Sequence, residues 1–358
     1  MSLKTPMNIK ITGSGSYIPT ETVTNLDFLN HTFLNEDGSS FAQPNEIITA
    51  KFKGITGIEE RRYASDNLLT SDIAFIAAQK AIENANLDPE TLDYIIFAHN
   101  FGNQKKGAIQ ADLLPSLATR VKHDLRIKNP KCVAYDMLFG CPGWVEGVIQ
   151  ATAFIKAGMA KKCLVIGAET LSRVVDPFDR DSMIYSDGAG ATIIEATNSD
   201  GGILAHESAT FAYDEAHYLF FGNSYNKDLD PNVRYIKMHG RKIYEFALNN
   251  VPNAMKECLD NSGIDINNLK KILIHQANEK MDEAIIQRFY KLYDKEVPAG
   301  IMPMSIHKLG NSSVATVPTL YDSLVKGKIE NHELHKGDVI MFASVGAGMN
   351  VNAIVYKM

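Results

Sequence analysis

AFIAAQKAIENANLDPETLDYIIFAHN (residues 74–100) and VPNAMKECLDNSGIDINNLKKILIHQ (residues 251–276) read as two copies of one unit. Each carries apolar residues at helical spacing, a short turn with an aliphatic residue and Asp, a Leu, and then a β-rich apolar run. Leu87–Asp88 matches Ile264–Asp265 and Leu92 matches Leu269, both 177 residues apart (264 − 87 and 269 − 92). The parallel extends downstream. The first copy predicts a strand at Lys131–Asp136, a helix from near Cys141 and a strand at Cys163–Gly167. The second predicts a short strand near Met302, a helix from near Asn311 and a strand at Asp338–Ala343. Alternating strands and helices imply βαβ units, and near-continuous apolar runs imply strands covered on both faces. The expectation is an α/β fold of two pseudo-repeated βαβαβ halves, residues 1–200 and 201–358, divided near TNSDGG (197–202).

The chain has 358 residues, 45% of them hydrophobic and 22% charged, with a formal net charge of −6. That balance suits a globular protein and disfavours a broad nucleic-acid surface, which is normally basic. No run reaches the length of a spanning helix, so no membrane partner is expected. The opening MSLKTPMNIKITGSG lacks the apolar region of a signal peptide, and Met1–Leu3 reads as an addition to the natural start. Cys132, Cys141, Cys163 and Cys258 form no CxxC pair and no metal-type cluster, so a reducing, cytoplasmic setting and no metal are expected.

Cys141 stands apart from the other three. In AYDMLFGCPGWVEGVIQATAFIKAG (134–158) a strand ends near Asp136, Gly140 permits a tight turn, and Pro142 suits the first turn of a helix. A helix N-terminus favours thiolate over thiol, as attack on a thioester requires. A free cysteine is more often a small buried hydrophobe, and that reading suits Cys132, Cys163 and Cys258. The predicted strand Lys271–Ile274 ends in His275-Gln276-Ala277-Asn278, and catalytic groups favour such carboxyl ends. Alone, His275 fits a structural histidine equally well. Asn311, after Gly310 and before an apolar helix at Val314–Leu324, also fits an N-cap. The repeat places Asn311 opposite Cys141.

Taken together, GCPG (140–143), HQAN (275–278) and GNSS (310–313) resemble, in order and spacing, the β-ketoacyl-acyl-carrier-protein synthase III family. So do SGSYIPTETVTN (14–25), TGIEERR (56–62), GAETLSRVVDPFDRDSMIYSDGAGA (167–191) and SVGAGMNVNAIVYKM (344–358). The resemblance covers nearly the whole chain. It implies a thiolase-like fold with layers α/β/α/β/α. It also implies acyl transfer from a thioester to Cys141, then decarboxylative Claisen condensation with a malonyl-carrier protein in fatty-acid or related polyketide synthesis.

The implied catalytic set is Cys141, His275 and Asn311. The backbone N–H groups of Cys141 and Ala347 would form the oxyanion hole, with Gly346 and Gly348 letting the chain approach substrate. An Asn is neither acid nor base at neutral pH, so its role would be electrostatic. Arg180 would bind coenzyme A, and Leu114 stands where acyl-chain length is set. Lys280, Arg288 and Lys291 would dock an acidic carrier protein, although a solvated helix face explains them equally well. Arg241 and Lys242 are weaker docking candidates. A homodimer is implied, and no cofactor beyond coenzyme A or phosphopantetheine thioesters as substrates.

Two departures stand out. Lys51, or Ile47 with a gap, occupies the place of the family's adenine-stacking Trp, which favours an unusual or carrier-bound acyl donor. Asn30–Gln43 is an extra segment, read as a surface loop or as a lid over the substrate tunnel. Alternatives on the same fold are a non-decarboxylating condenser, an acyltransferase, or a silent subunit of an active paralogue. A papain-like hydrolase shares the residue types and lacks the repeat.

Overall fold

The computed structural model describes residues 8–358, so Met1–Leu3 lies outside the described part. The first half contains β1 (Asn8–Tyr17), β2 (Glu21–Thr24), β3 (Glu60–Tyr63), β4 (Tyr94–Ala98), β5 (Val133–Met137), β6 (Lys162–Thr170) and β7 (Asp187–Thr197). Its helices are α1 (Asn45–Thr56), α2 (Thr70–Asn84), α3 (Leu117–Asp124) and α4 (Gly143–Lys156). The second half contains β8 (Gly202–Thr210), β9 (Leu219–Gly222), β10 (Tyr235–Met238), β11 (Leu269–Ile274), β12 (Val339–Gly346) and β13 (Asn350–Lys357). Its helices are α5 (Gly240–Ser262), α6 (Glu279–Lys291), α7 (Ile306–Leu309) and α8 (Thr316–Val325).

The two sheets are built on one plan. Strand order is β1-β7-β6-β4-β5 in the first and β8-β13-β12-β11 in the second. In both, one pair is parallel (β4 with β6, β11 with β12) and the next two pairings are antiparallel. The correspondence reaches single side chains. Asp88 and Asp265 each cap a 3-10 turn by accepting the N–H two residues ahead, from Glu90 and Asn267. Leu92 and Leu269 then start the buried run.

Helices α4 and α8 lie between the sheets, in a core that also takes Ile96 and Val165 from one sheet and Phe342 and Ile354 from the other. Helices α2 and α3 cover the outer face of the first sheet, and α5 and α6 that of the second. Five layers, α/β/α/β/α, result. A helix packed between two sheets must be apolar on more than one face. Trp144, Val145, Val148, Ile149, Ala151 and Ile155 of α4 are accordingly all buried. Trp144 ties the layers: its indole N–H donates to Thr192 of β7, and its ring meets Phe342 of β12 edge-on.

The repeat is incomplete in two places. No strand forms near Met302. Ile272 N–H donates once to Ile301 O, but Pro303 has no N–H to continue a ladder. Gln276 holds this segment instead, donating to Pro303 O and accepting from the N–H groups of Ser305 and Ile306. The helix expected from Asn311 begins at Thr316, after a 3-10 turn at Ser313–Ala315, because Ser313 sits at φ +52, outside the helical region.

Candidate active site

Equivalent turns precede the two central helices, and they meet. Cys141 lies two residues before α4, behind Gly140 at φ +69. The turn after β12, Gly346–Ala347–Gly348, packs directly on it. A Cβ on Gly140 would lie 2.7 Å from Ala347 N and O, and one on Gly346 would run into the Cys141 backbone N. Only glycine lets these two segments approach so closely. Ala347 and Cys141 line a common cavity of about 170 Å³.

His275 follows the last residue of β11, its N–H bonded to Ala343 O of β12. The ring is buried, and its Nδ1 has no partner among the described residues. Burial lowers its pKa to about 4, so the imidazole is neutral at physiological pH. Asn311 pairs with Tyr185 in an isolated bridge: its N–H donates to Ile184 O, and its C=O accepts from Ser186. Its side-chain Oδ1 accepts the N–H of Ser313 at 2.7 Å. A backbone N–H can only donate, so this contact identifies Oδ1 and leaves the amide NH2 as the free end.

Cys141, His275 and Asn311 all line one cavity of about 490 Å³. Its outer wall comes from Phe41 and Gln43, from α1 (Ile48, Lys51, Phe52, Ile55) and from the start of α5. The smaller cavity continues behind Cys141 and is mainly apolar, with Phe101, Leu171, Leu219, Phe220, Phe221 and Ile236.

The electrostatic expectation for Cys141 needs correction. Burial pushes its thiol up to about 11, although a hydrogen bond from Ser313 works in the opposite direction. Partial removal of this half-buried sulfur from water disfavours its charged form and outweighs that bond.

Of the other residues singled out from sequence, Arg180 and Gly346 line the large cavity, whereas Gly348 at φ +76 shapes the turn. Leu114 lies outside both cavities and is 88% exposed. Lys280 and Lys291 are exposed on α6, and Arg288 donates to Leu248 O and Asn249 Oδ1 of α5. Arg241 lines the cavity mouth and pairs with Glu245.

Sequence reasoning missed several residues. The Arg180 guanidinium lies 5.5 Å from the centre of the Phe41 ring, so the extra segment supplies an aromatic face at the cavity. That segment is docked: Leu34 N–H donates to Phe178 O, Phe33 is buried, and Asn45 holds the carbonyls of Phe28, Leu29 and His31. Lys51 lines the cavity and bonds Gln43, while Ile47 is not in its wall. Asn100, Glu169 and Ser313 form a buried cluster behind Cys141. Glu169 and Ser313 fell inside quoted motifs, but nothing local marked them as neighbours of the sulfur.

A cysteine sulfur, a neutral imidazole and a carboxamide meet at one cavity between two repeated half-folds, an arrangement that fits a condensing enzyme of the thiolase fold. The comparisons with known proteins agree. The family description 3-oxoacyl-[acyl-carrier-protein (ACP)] synthase III matches residues 135–211, and its C-terminal counterpart matches residues 259–358. The β-ketoacyl-[acyl-carrier-protein] synthase III of Oceanobacillus iheyensis is 34% identical over 98% of this chain and 99% of its own length. That of Erythrobacter litoralis is 32% identical over 97% and 98%. The crystal structure of the Aquifex aeolicus synthase III superposes with a TM-score of 0.78 at 29% identity, covering 98% of this chain and all of that one. The priming β-ketosynthase of the R1128 polyketide pathway, at 22% identity and TM-score 0.80, shares the fold. The chain belongs to the β-ketoacyl-acyl-carrier-protein synthase III family, enzymes that transfer and condense acyl groups held as thioesters.

Proposed function

We propose that this enzyme takes an acyl group from a thioester onto Cys141 and condenses it with a malonyl thioester on an acyl carrier protein, releasing CO2. The observation that carries this reading is the convergence of Cys141, from one half, with His275 and Asn311, from the other, on one cavity. Attack by the sulfur develops an oxyanion, and the N–H groups of Cys141 and Ala347 are the donors beside it. Its collapse breaks the acyl donor's C–S bond, so that the donor thiol leaves with the proton lost by Cys141. Decarboxylation of the malonyl group leaves an enolate. The neutral His275 ring and the free NH2 of Asn311 donate hydrogen bonds to that oxygen. The enolate carbon then attacks the acyl-Cys141 carbonyl, and the β-ketoacyl thioester leaves on the carrier. These steps draw on the side chains, the two backbone N–H groups and the two thioesters.

The large cavity suits a phosphopantetheine arm, with Arg180, Phe41, Lys51 and Arg241 toward its outer end. Phe41 on Arg180 supplies an aromatic surface for coenzyme A where the family's Trp is absent. Lys280 and Lys291, exposed on α6, suit an acidic carrier protein, with Arg288 held to α5 beside them. A homodimer fits the free outer edge of β5, where Val133, Leu138 and Leu114 expose apolar surface. A cytoplasmic setting accords with four free cysteines. No helix among the described residues is long and apolar enough to cross a membrane.

The test is incubation with an acyl donor and malonyl-carrier protein, followed by mass spectrometry. An acyl mass shift on the Cys141 peptide, CO2 release and a β-ketoacyl product are expected. Cys141→Ser abolishes the shift and keeps some malonyl decarboxylation. Acylation without decarboxylation or product would replace this reading with a plain acyltransferase, and undiminished acylation of Cys141→Ser would remove Cys141 from the mechanism.

A further inference from the structure

The Ser313 hydroxyl lies 3.3 Å from the Cys141 sulfur. Its role depends on which way its hydrogen points, and the surrounding bonds decide that. The Gly140 backbone N–H donates to the Asn100 side chain at 3.1 Å, which identifies the receiving atom as Oδ1. The other end of that amide is therefore Nδ2, a donor only. Nδ2 reaches Glu169 Oε1 at 2.7 Å and Ser313 Oγ at 3.3 Å, and the Asn100 backbone N–H donates to the same Glu169 oxygen. Ser313 Oγ thus accepts from Asn100, and its own hydrogen is free to point at sulfur. The backbone is also committed to this arrangement. Ser313 sits at φ +52, rare for a residue with a side chain, and Asn311 Oδ1 holds its N–H there.

We infer that Ser313 is a further catalytic residue, donating a hydrogen bond to the Cys141 sulfur and stabilising its thiolate, while Asn100, anchored by Glu169, is a positioning residue that sets the direction of that bond. The inference rests on Cys141 being the nucleophile. It answers a problem posed by the site itself. The half-buried sulfur is partly removed from water, which disfavours its anion, and His275 stays neutral and supplies no charge to offset this. A hydroxyl donor restores part of the lost solvation without adding charge. Cys132, Cys163 and Cys258 are buried in apolar surroundings, so Cys141 can be read separately from them.

The experiment is alkylation of the intact enzyme by iodoacetamide between pH 6 and 10, with the Cys141 peptide quantified by mass spectrometry. Wild type is compared with Ser313→Ala and Ser313→Gly. Both variants lose the hydroxyl, and glycine also accepts the positive φ without strain. Hydrogen bonds to charged groups predict alkylation roughly ten to a hundred times slower near neutral pH in both, with the profile displaced upward by about one to two pH units. Profiles that superimpose on wild type overturn the inference. So does slowing in Ser313→Ala alone, which would assign the effect to backbone strain. Wild type is also offered the acyl thioester: failure of Cys141 to take an acyl group would defeat the proposed function itself, a result read independently of the alkylation profiles.

Discussion

The turn before α4 and the turn before α8 occupy the same place in two copies of one half-fold, yet they do different work. The first follows a complete strand, β5, and bends once at Gly140 to present Cys141 at a long, apolar helix. In the second, the strand that would match β5 is missing, its residues are held by Gln276, and the chain passes through Gly310 at φ +61 and Ser313 at φ +52 before the helix starts. On the proposed function, the ordered copy carries the group that forms a covalent bond. The irregular copy carries polar donors. A nucleophile needs one rigid position, which a strand–turn–helix provides. Donors to an oxyanion need their hydrogens aimed inward, and tying Asn311 Oδ1 to the Ser313 N–H leaves the amide NH2 for that.

Removing the donor from the irregular turn tests this division most severely. Asn311→Ala loses roughly 10² to 10³ in malonyl decarboxylation, about 3–4 kcal/mol of barrier, while acylation of Cys141, which feels Asn311 only through the Ser313 N–H it holds, falls less. Equal losses in both half-reactions, measured separately by CO2 release and by acyl-enzyme mass, would show that the two turns do not divide the labour. Gly346→Ala attacks the contact between the halves. Its Cβ would force the β12 turn off Cys141. Overpacking of this kind costs about 1–3 kcal/mol of stability and should slow acylation more than malonyl decarboxylation. A denaturant midpoint and acylation rate equal to wild type would mean the turns need not touch.

Glu169→Gln gives the smallest effect and sharpens the picture of the ordered half. Burial raises the Glu169 pKa to about 8, so the folded protein holds a proton there that the unfolded chain releases near its ordinary carboxyl pKa. The wild type binds more protons folded than unfolded between roughly pH 4.5 and 8, and its stability falls as pH rises through that window. Glutamine has no proton to lose. The variant's stability relative to wild type should therefore climb by on the order of 1 kcal/mol from pH 7 to pH 8.5. A stability difference that is flat across this range, by denaturant titration, would show that Glu169 is already ionised in the fold.

Much of this was legible in the chain. The 177-residue offset between Leu92 and Leu269 survives as corresponding strand starts, and Asp88 and Asp265 as matching caps, because caps and strand burial depend on local pattern. Met302 misled because the repeat promised a strand where Pro303 withholds a donor and Gln276 captures the segment from 27 residues away. The thiol of Cys141 misled for a different reason. A helix N-terminus is visible in sequence, but the depth at which it is buried is not.

Hydrophobic periodicity and turn residues specified the elements, their order and their duplication, since each reflects interactions among residues a few positions apart. Which atoms surround the sulfur was decided by packing one half against the other. Asn100 reaches Ser313 and Gly140 reaches Ala347 only once the sheets are stacked, because those contacts join residues that no local interaction brings together.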